Sequence, residues 1–293
     1  MTPRAGKGRS IAQHGELFQG QIEDTASRRR RCLLSLPCKA LYSEATFLPD
    51  FTGIVTVDPV HKTKAKKVVK LTLEYLNASE VGGMITLHST VPEAKGYGSS
   101  TADCVAAAIS AADAIERSLS QKELARLVVQ AELASDNIMF QHAVLFAHRE
   151  GVVLEDYAQH VPKLEVVGFD TAQDEHVDTL DYPPAVYSWR QIESFRMLTG
   201  ALRRAVQRED LRLLGRVATA SASINECFLP KPKFKEIRRI ADNEGALGLS
   251  VAHSGTVLGV LFDPKDGQLE RRIEQLHGGL SRLGISNFLR FQT

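Results

Sequence analysis

The stretch Pro92-Glu93-Ala94-Lys95-Gly96-Tyr97-Gly98-Ser99-Ser100-Thr101-Ala102-Asp103 constrains this chain more than any other. A strand-like run, Met84 to Thr90, precedes it, and an alanine-rich helical run follows. Its glycines allow a tight turn and a close approach of backbone to ligand. Hydroxyls follow where the helix begins. A helix start offers free N–H groups and the positive end of the dipole, which suit phosphate. The loop therefore predicts a nucleotide phosphate site. A plainer reading competes, because Ser100-x-x-Asp103 has capping-box spacing and would serve to start an ordinary helix. Capping alone does not require Gly96, Gly98 and Ser99 together. The G-K-[ST] ending of a Walker A motif is absent, and so is the third glycine of a dinucleotide fingerprint.

The 293 residues allow two domains or one large one, and a hydrophobic fraction of 43% supplies a packed core. With a formal net charge of +1, nothing global attracts nucleic acid or a membrane surface. The expected partner is a small-molecule substrate, with no nucleic acid and no membrane, in a monomer or homodimer. Cys32, Cys38, Cys104 and Cys227 have no C-x-x-C spacing, and Cys104 lies on an apolar helix face and is assigned to the core. No apolar run follows the basic start, so no secretory signal is expected. No stretch approaches the roughly 18 apolar residues of a membrane span. A cytoplasmic setting is the expectation.

Arg9 to Gln21 reads as strand, turn, strand, with Gly15 and Gly20 as breakers. Glu23 to Arg31 reads as a solvated loop ending in four arginines, Arg28 to Arg31, with an anion or partner contact as the lesser alternative. Cys32 to Leu36, Ala40 to Leu48 and Gly53 to Val57 fit a meander of antiparallel strands. Helices are predicted at Lys64 to Leu76, Thr101 to Arg117 and Gln121 to Leu133, the last with Ser120 and Glu123 at capping-box spacing. A hairpin at Ala143 to Ala147 and Val152 to Leu154 and a strand at Lys163 to Phe169 follow. Thr171 to Pro184 is the linker candidate, dividing a nucleotide-binding domain, 1–170, from a second domain, 185–293. Beyond it, helices are predicted at Arg190 to Gln207, Asp210 to Asn225, Phe234 to Asn243 and Gln268 to Leu276, the last stopped by Gly278-Gly279. Strands are predicted at Leu247 to Ala252, Val257 to Phe262 and Ser286 to Phe291. Helices mixed with non-adjacent strands in both halves predict an α+β fold.

The loop, as Pro-x-x-x-Gly-x-Gly-Ser-Ser-x-Ala, resembles the phosphate-binding motif of the GHMP kinases, a superfamily of galactokinase, homoserine kinase, mevalonate kinase and phosphomevalonate kinase. His14-Gly15-Glu16-Leu17-Phe18-Gln19-Gly20 stands in the place of its first motif, and Ala252-His253-Ser254-Gly255-Thr256-Val257-Leu258-Gly259 in the place of its third. The detailed forms look most like the branch containing the L-threonine kinase of cobalamin synthesis and propanediol utilisation. The resemblance implies a two-domain α+β kinase, its N-terminal domain like ribosomal protein S5 and its C-terminal domain ferredoxin-like, with the site in the cleft between them. It implies that Lys95, Gly96, Tyr97, Gly98, Ser99, Ser100 and Thr101 wrap ATP phosphates, with Gly255 letting the third motif come close. A plain hairpin turn would also explain Ser254-Gly255-Thr256.

Phosphoryl transfer needs Mg²⁺ ligands and often an acceptor for the substrate hydroxyl proton. On a continuous helix Glu132 and Asp136, an i, i+4 pair, share one face. By the resemblance, Glu132 and the Ser100 hydroxyl are the Mg²⁺ candidates, and Asp136 is the catalytic base or orienting group. The homoserine kinase branch, by contrast, manages without a catalytic aspartate, and solvated helix-end carboxylates are the plain alternative. The resemblance also turns His14, Glu16 and Gln19 toward the acceptor, with Glu16 available for a substrate ammonium. Turn hydrogen bonding by His14 and Gln19 competes with that. His253 is a substrate contact or a core-edge histidine. His142, His148 and His160 have no partner spacing and receive no role. The function implied is transfer of the ATP γ-phosphate to the hydroxyl of a small metabolite, with L-threonine favoured. A homoserine, mevalonate-type or sugar acceptor, a non-catalytic nucleotide-binding relative and a GHMP-fold decarboxylase are the alternatives.

Overall fold

A long antiparallel pair, β1 (Gly6–Glu23) and β2 (Arg29–Asp50), carries the rest of the chain. The computed structural model describes residues 4–24, 26–172 and 185–293; most of the linker candidate lies outside them. Gly15 does not end a strand as predicted. It takes a φ of +70° inside β1, where an added Cβ would lie 2.7 Å from the Val251 carbonyl carbon. The register shifts there, between Gln13 and Glu16. A bulge at glycine re-aims the strand without breaking it. β2 is likewise continuous: Ile11 pairs with Tyr42 and Ala12 with Cys38, so residues 39–41 bulge out of the ladder.

The arginine run is also not a loop. Arg29, Arg30 and Arg31 belong to β2. Asp24 anchors the turn, accepting from Arg28 Nε at 3.2 Å and Arg30 Nε at 3.0 Å, and Arg30 reaches Glu150 at 3.4 Å. Opposite charges across the hairpin make strand pairing favourable where the arginines alone would repel.

β3 (Val55–Asp58) departs from the expected meander. It runs parallel to β4 (Gly82–Ser89), because α1 (Thr63–Tyr75) makes the crossover that parallel neighbours need. Then follow α2 (Ser99–Ala114), α3 (Gln121–Glu132), the hairpin β5 (Val144–Ala147) and β6 (Val152–Asp156), and β7 (Glu165–Asp170). The second half supplies α4 (Trp189–Gln207), α5 (Leu211–Asn225), α6 (Phe234–Asn243), β8 (Gly248–Val251), β9 (Val257–Phe262), α7 (Leu269–Arg282) and β10 (Leu289–Gln292). α7 runs through Gly278-Gly279, not stopping there as predicted. A Cβ at Gly279 would sit 2.7 Å from Ile240 Cγ2, so glycine is what lets α7 lie against α6.

One sheet joins all this, in the order β10-β7-β9-β8-β1-β2-β4-β3, with β5 on β2 and β6 on β5. The α+β expectation holds. Three apolar layers cover the sheet. Phe47, Val69, Ile85, Ala106 and Val128 pack α1 to α3 on the first strands. Phe18, Leu34, Phe195 and Val217 seat α4 and α5, and Val167, Val260, Ile237 and Leu276 seat α6 and α7. Cys104 is buried in the first layer, as predicted. The Ser120–Glu123 capping box forms at α3. Among the described residues no helix is long and apolar enough to cross a membrane.

The consequence for function lies in the centre. The bulge at Gly15 sets Glu16 opposite Val251, the last residue of β8. The chain leaving β8 therefore emerges beside the middle of β1, close to the loop that begins α2.

Candidate active site

α2 begins with Ser99 and is preceded by Gly98 in the left-handed conformation, with φ +69° and no side-chain cap. The capping-box reading of Ser100 and Asp103 therefore fails. Asp103 turns into the protein, where it accepts from Ser43 Oγ at 2.6 Å and pairs with Lys62 Nζ at 2.6 Å. An uncapped helix start keeps its first N–H groups available to a ligand.

A second loop meets the first, backbone against backbone. Thr256 and Val257 donate their N–H groups to the Lys95 carbonyl at 3.0 and 3.2 Å. Gly96 has φ +100°, and its added Cβ would lie 2.2 Å from the Ser254 carbonyl oxygen; Gly255 has φ +81°, and its Cβ would lie 2.3 Å from the Lys95 carbonyl carbon. No side chain fits at either position. Both glycines are thus demanded by conformation and by contact.

These loops border a cavity of about 350 Å³ whose walls include Gly96, Gly98, Ser99, Ser100, Thr101 and Gly255, with Lys64, Glu132, Asp136 and His253 facing them. Lys95 and Tyr97 contribute differently. The Lys95 ammonium turns to Asp170 at 2.7 Å, and the Tyr97 ring is buried edge-on against His14 at 5.1 Å. Lys95 joins the loop meeting through its backbone carbonyl, and Tyr97 packs with Ala252 and Val257 in an apolar cluster.

The carboxylates do not share a helix face. α3 ends at Glu132, and Leu133 turns left-handed with φ 71°, which puts Asp136 in a loop. Thr101 draws the two together. Its Oγ1 donates to Glu132 Oε2 at 3.0 Å and accepts from the Asp136 N–H at 3.4 Å. Lys64 Nζ is 3.8 Å from Glu132 Oε1. Burial pushes the Glu132 carboxyl up to about 7 against hydrogen bonds from Ser100 and Thr101 and the Lys64 charge. Burial also pushes Asp136 up to about 6; the His253 charge opposes this and the Glu16 charge assists it. Hydroxyls and a buried carboxylate are hard oxygen donors, so Ser100, Thr101 and Glu132 fit a Mg²⁺-type cation.

Glu16 is spent on His253. One carboxylate oxygen accepts from the His253 N–H at 2.6 Å, and the other lies 2.7 Å from Nδ1. Burial alone would lower the imidazole pKa, but the Glu16 charge and hydrogen bond, aided by Asp136, raise it to about 9. Nδ1 is also 3.8 Å from Asp136 Oδ1. Glu16, Asp136 and His253 bring ligand-type atoms within 4.8 Å of one another. Glu16 and His253 are hydrogen-bonded to each other and Asp136 stands beyond hydrogen-bond reach of the ring, so the trio is organised as a charge cluster. The Glu16 side chain is fully buried and does not line the cavity, so the ammonium-binding role finds no access there.

His14 is elsewhere. It is fully buried between Tyr97 and Phe291, both ring nitrogens lack hydrogen bonds, and burial lowers its pKa to about 4. Gln19 engages α5 through its backbone, donating to Ser221 Oγ at 2.9 Å and accepting from Asn225 Nδ2 at 3.1 Å. Neither residue lines the cavity.

Two neighbours of the site were not anticipated. Buried Gln13 hydrogen-bonds Asp136, and a Cβ at Gly98 would come within 2.6 Å of Asp136 Oδ2 and 2.9 Å of Gln13 Cγ. His148 lies with its ring 5.7 Å from that of His253, held neutral by burial and nearby cations that lower its pKa to about 3.

Residues 63–143 match a model of the GHMP kinases N terminal domain and residues 202–277 a model of the GHMP kinases C terminal region. The chain is 30% identical over 190 residues to the L-threonine kinase of Salmonella typhimurium, covering 64% of this chain and 62% of that protein. It is 31% identical over 186 residues to the L-threonine kinase of Citrobacter freundii, covering 61% of this chain and 62% of that protein. The match therefore spans less than two thirds of either relative's length. In fold, the chain is similar to a crystal structure of homoserine kinase from Cytophaga hutchinsonii, with a TM-score of 0.71 at 16% identity, covering 98% of this chain and 94% of that one.

Proposed function

Because this chain belongs to the GHMP kinase family, its two models together matching more than half of the residues, we propose that it transfers the γ-phosphoryl group of ATP to the hydroxyl of a small metabolite. L-threonine is the acceptor we favour, since the two relatives above are named L-threonine kinases. One observation carries the reading: the Gly96–Ser100 loop is clasped by the Gly255 loop on one side of a cavity and faced by Asp136 on the other.

The geometry supports the following division of labour. Backbone N–H groups at the uncapped start of α2 hold phosphate oxygens. Ser100, Thr101 and Glu132 would hold Mg²⁺, which when bound offsets negative charge on the phosphates. Asp136 accepts the acceptor's hydroxyl proton as the oxygen attacks the γ-phosphorus. The new O–P bond forms as the bond to the β-phosphate bridging oxygen breaks, and ADP leaves. His253, positively charged beside Asp136, keeps that carboxylate ionised and Glu16 keeps His253 charged. Burial of the trio keeps these fields strong.

The test is ADP release with L-threonine, L-serine, homoserine, mevalonate and sugars in turn. Release with L-threonine is expected. Release with mevalonate or a sugar alone would retain the kinase and remove the amino-acid acceptor; release with none would remove the kinase.

A further inference from the structure

The start of α1 is rich in lysine, with Lys62, Lys64, Lys66 and Lys67, and its first turn holds no acidic residue and no side-chain cap. Cations at the positive end of a helix dipole are unfavourable unless an anion stands close. Two of these lysines find partners within the protein. The Lys62 ammonium lies 2.5 Å from Glu93 and 2.6 Å from Asp103, and the Lys67 ammonium donates to the Ala131 carbonyl at 3.4 Å. Lys66 is exposed and no part of the cavity wall. Lys64 differs from all three. Among the described residues its ion pair is with Glu132 Oε1 at 3.8 Å, beyond hydrogen-bond reach, and 54% of its side chain stays accessible.

Lys64 lines the cavity together with Gly96, Gly98, Ser99 and Ser100. The ionisable side chains of that wall are Lys64, Glu132, Asp136 and His253. His253 is hydrogen-bonded to Glu16 at 2.7 Å, so Lys64 is the cation of the wall with donors to offer. An ammonium carries three donors, and a 3.8 Å contact fills none of them. Glu132 gives Oε2 to Thr101 and leaves Oε1 facing Lys64. The same oxygen is open to a Mg²⁺-type cation, whose double charge in direct contact binds it more strongly than an ammonium at 3.8 Å does. The lysine stem is flexible, so its ammonium can turn from Glu132 to ligand oxygens in the same cavity. Several negative oxygens beside an uncapped helix start and one unfilled ammonium describe a polyphosphate.

We propose that Lys64 binds the β- and γ-phosphate oxygens of the nucleotide and leaves Glu132 to the divalent cation. This rests on the kinase reading above and deepens it, by naming the side chain that tells a nucleoside triphosphate from a monophosphate.

The experiment is calorimetric titration of wild type and Lys64→Met with ATP and with AMP, in the presence of Mg²⁺. AMP lacks the two phosphates concerned, so its binding also reports that the variant is folded around the rest of the nucleotide. Lys64→Met should weaken ATP binding about tenfold to a hundredfold, the range of a charge-assisted hydrogen bond, and leave AMP binding unchanged. In steady-state kinetics the KM of ATP should rise while the KM of the acceptor stays the same. Lys64→Met that binds ATP as wild type does, or that loses ATP and AMP in equal proportion, overturns the inference and leaves the kinase standing. Wild type that binds neither nucleotide overturns both.

Discussion

Glu16 holds His253 at two points, through the backbone N–H at 2.6 Å and through Nδ1 at 2.7 Å. The bulge at Gly15 makes this contact, and the contact ties the strand that opens the fold to the loop that closes the site. Glu16→Gln should lower the His253 pKa from about 9, because burial is then opposed by the Asp136 charge without that of Glu16. Imidazole NMR titration reads this. A histidine whose folded pKa is raised contributes stability that is full below 6.5 and is lost as pH rises toward 9. The wild-type protein should therefore lose stability across that window more steeply than Glu16→Gln. Equal slopes would contradict the coupling.

Asp136→Asn should lower kcat by about 10²–10⁴-fold while leaving ATP binding in place. It should also stabilise the protein. A buried carboxyl whose pKa rises from 3.8 to about 6 is harder to ionise in the folded state than in the unfolded one. It therefore subtracts stability progressively as pH rises through that interval, and the neutral amide escapes the penalty. A gain of roughly 1–3 kcal/mol at neutral pH is expected in denaturant titrations, because each tenfold change in the ionisation equilibrium is worth about 1.4 kcal/mol. Wild-type activity should fall as pH drops through about 6, since protonated Asp136 cannot accept the proton. A less stable Asp136→Asn, or activity that is flat through that range, would count against this role.

Gly96→Ala and Gly255→Ala should each separate the two loops. Each adds a Cβ within 2.3 Å of opposing backbone, at a φ that favours glycine. Calorimetric titration with a non-hydrolysable ATP analogue should weaken at least about tenfold for either, at a cost on the order of 1–3 kcal/mol in backbone strain. Affinity at the wild-type level would remove the loop contact from the nucleotide site.

Lys62→Met should act on stability. Lys62 and Asp103 are an ion pair at 2.6 Å, their side chains 14% and 3% accessible, and the Ser43 hydroxyl donates to the same carboxylate. Removing the lysine leaves an uncompensated buried carboxylate, so a loss of about 3–5 kcal/mol is expected in chemical denaturation. A loss below about 1 kcal/mol would show that the pair is dispensable.

What the sequence revealed and hid follows from the range of the interactions. Gly96 and Gly255 were legible because a loop that meets backbone needs glycine whatever surrounds it, and Gly98 because a left-handed turn into a helix favours glycine. The competing cap reading of Asp103 arose because its spacing from Ser100 imitates a local cap, while its actual partners, Ser43 and Lys62, come from β2 and the approach to α1. Glu132 and Asp136 were taken for one helical face because nothing local announces that Leu133 turns left-handed. Their meeting is made instead by the Thr101 hydroxyl, on another helix. Gln13 and His148 reach the site only through a strand bulge and loop packing, and no spacing encodes that. Similarly, β3 looked antiparallel because a crossover is a property of the whole β3–α1–β4 unit and not of the strand's own residues.

The central claim is tested most directly by incubating the protein with ATP labelled with ¹⁸O in its γ-phosphoryl group, a divalent cation and L-threonine, and weighing the amino acid by mass spectrometry. Wild type should yield L-threonine carrying one labelled phosphoryl group on its hydroxyl, and Asp136→Asn should yield almost none. L-threonine recovered unmodified, with wild type converting another acceptor or none, would contradict it.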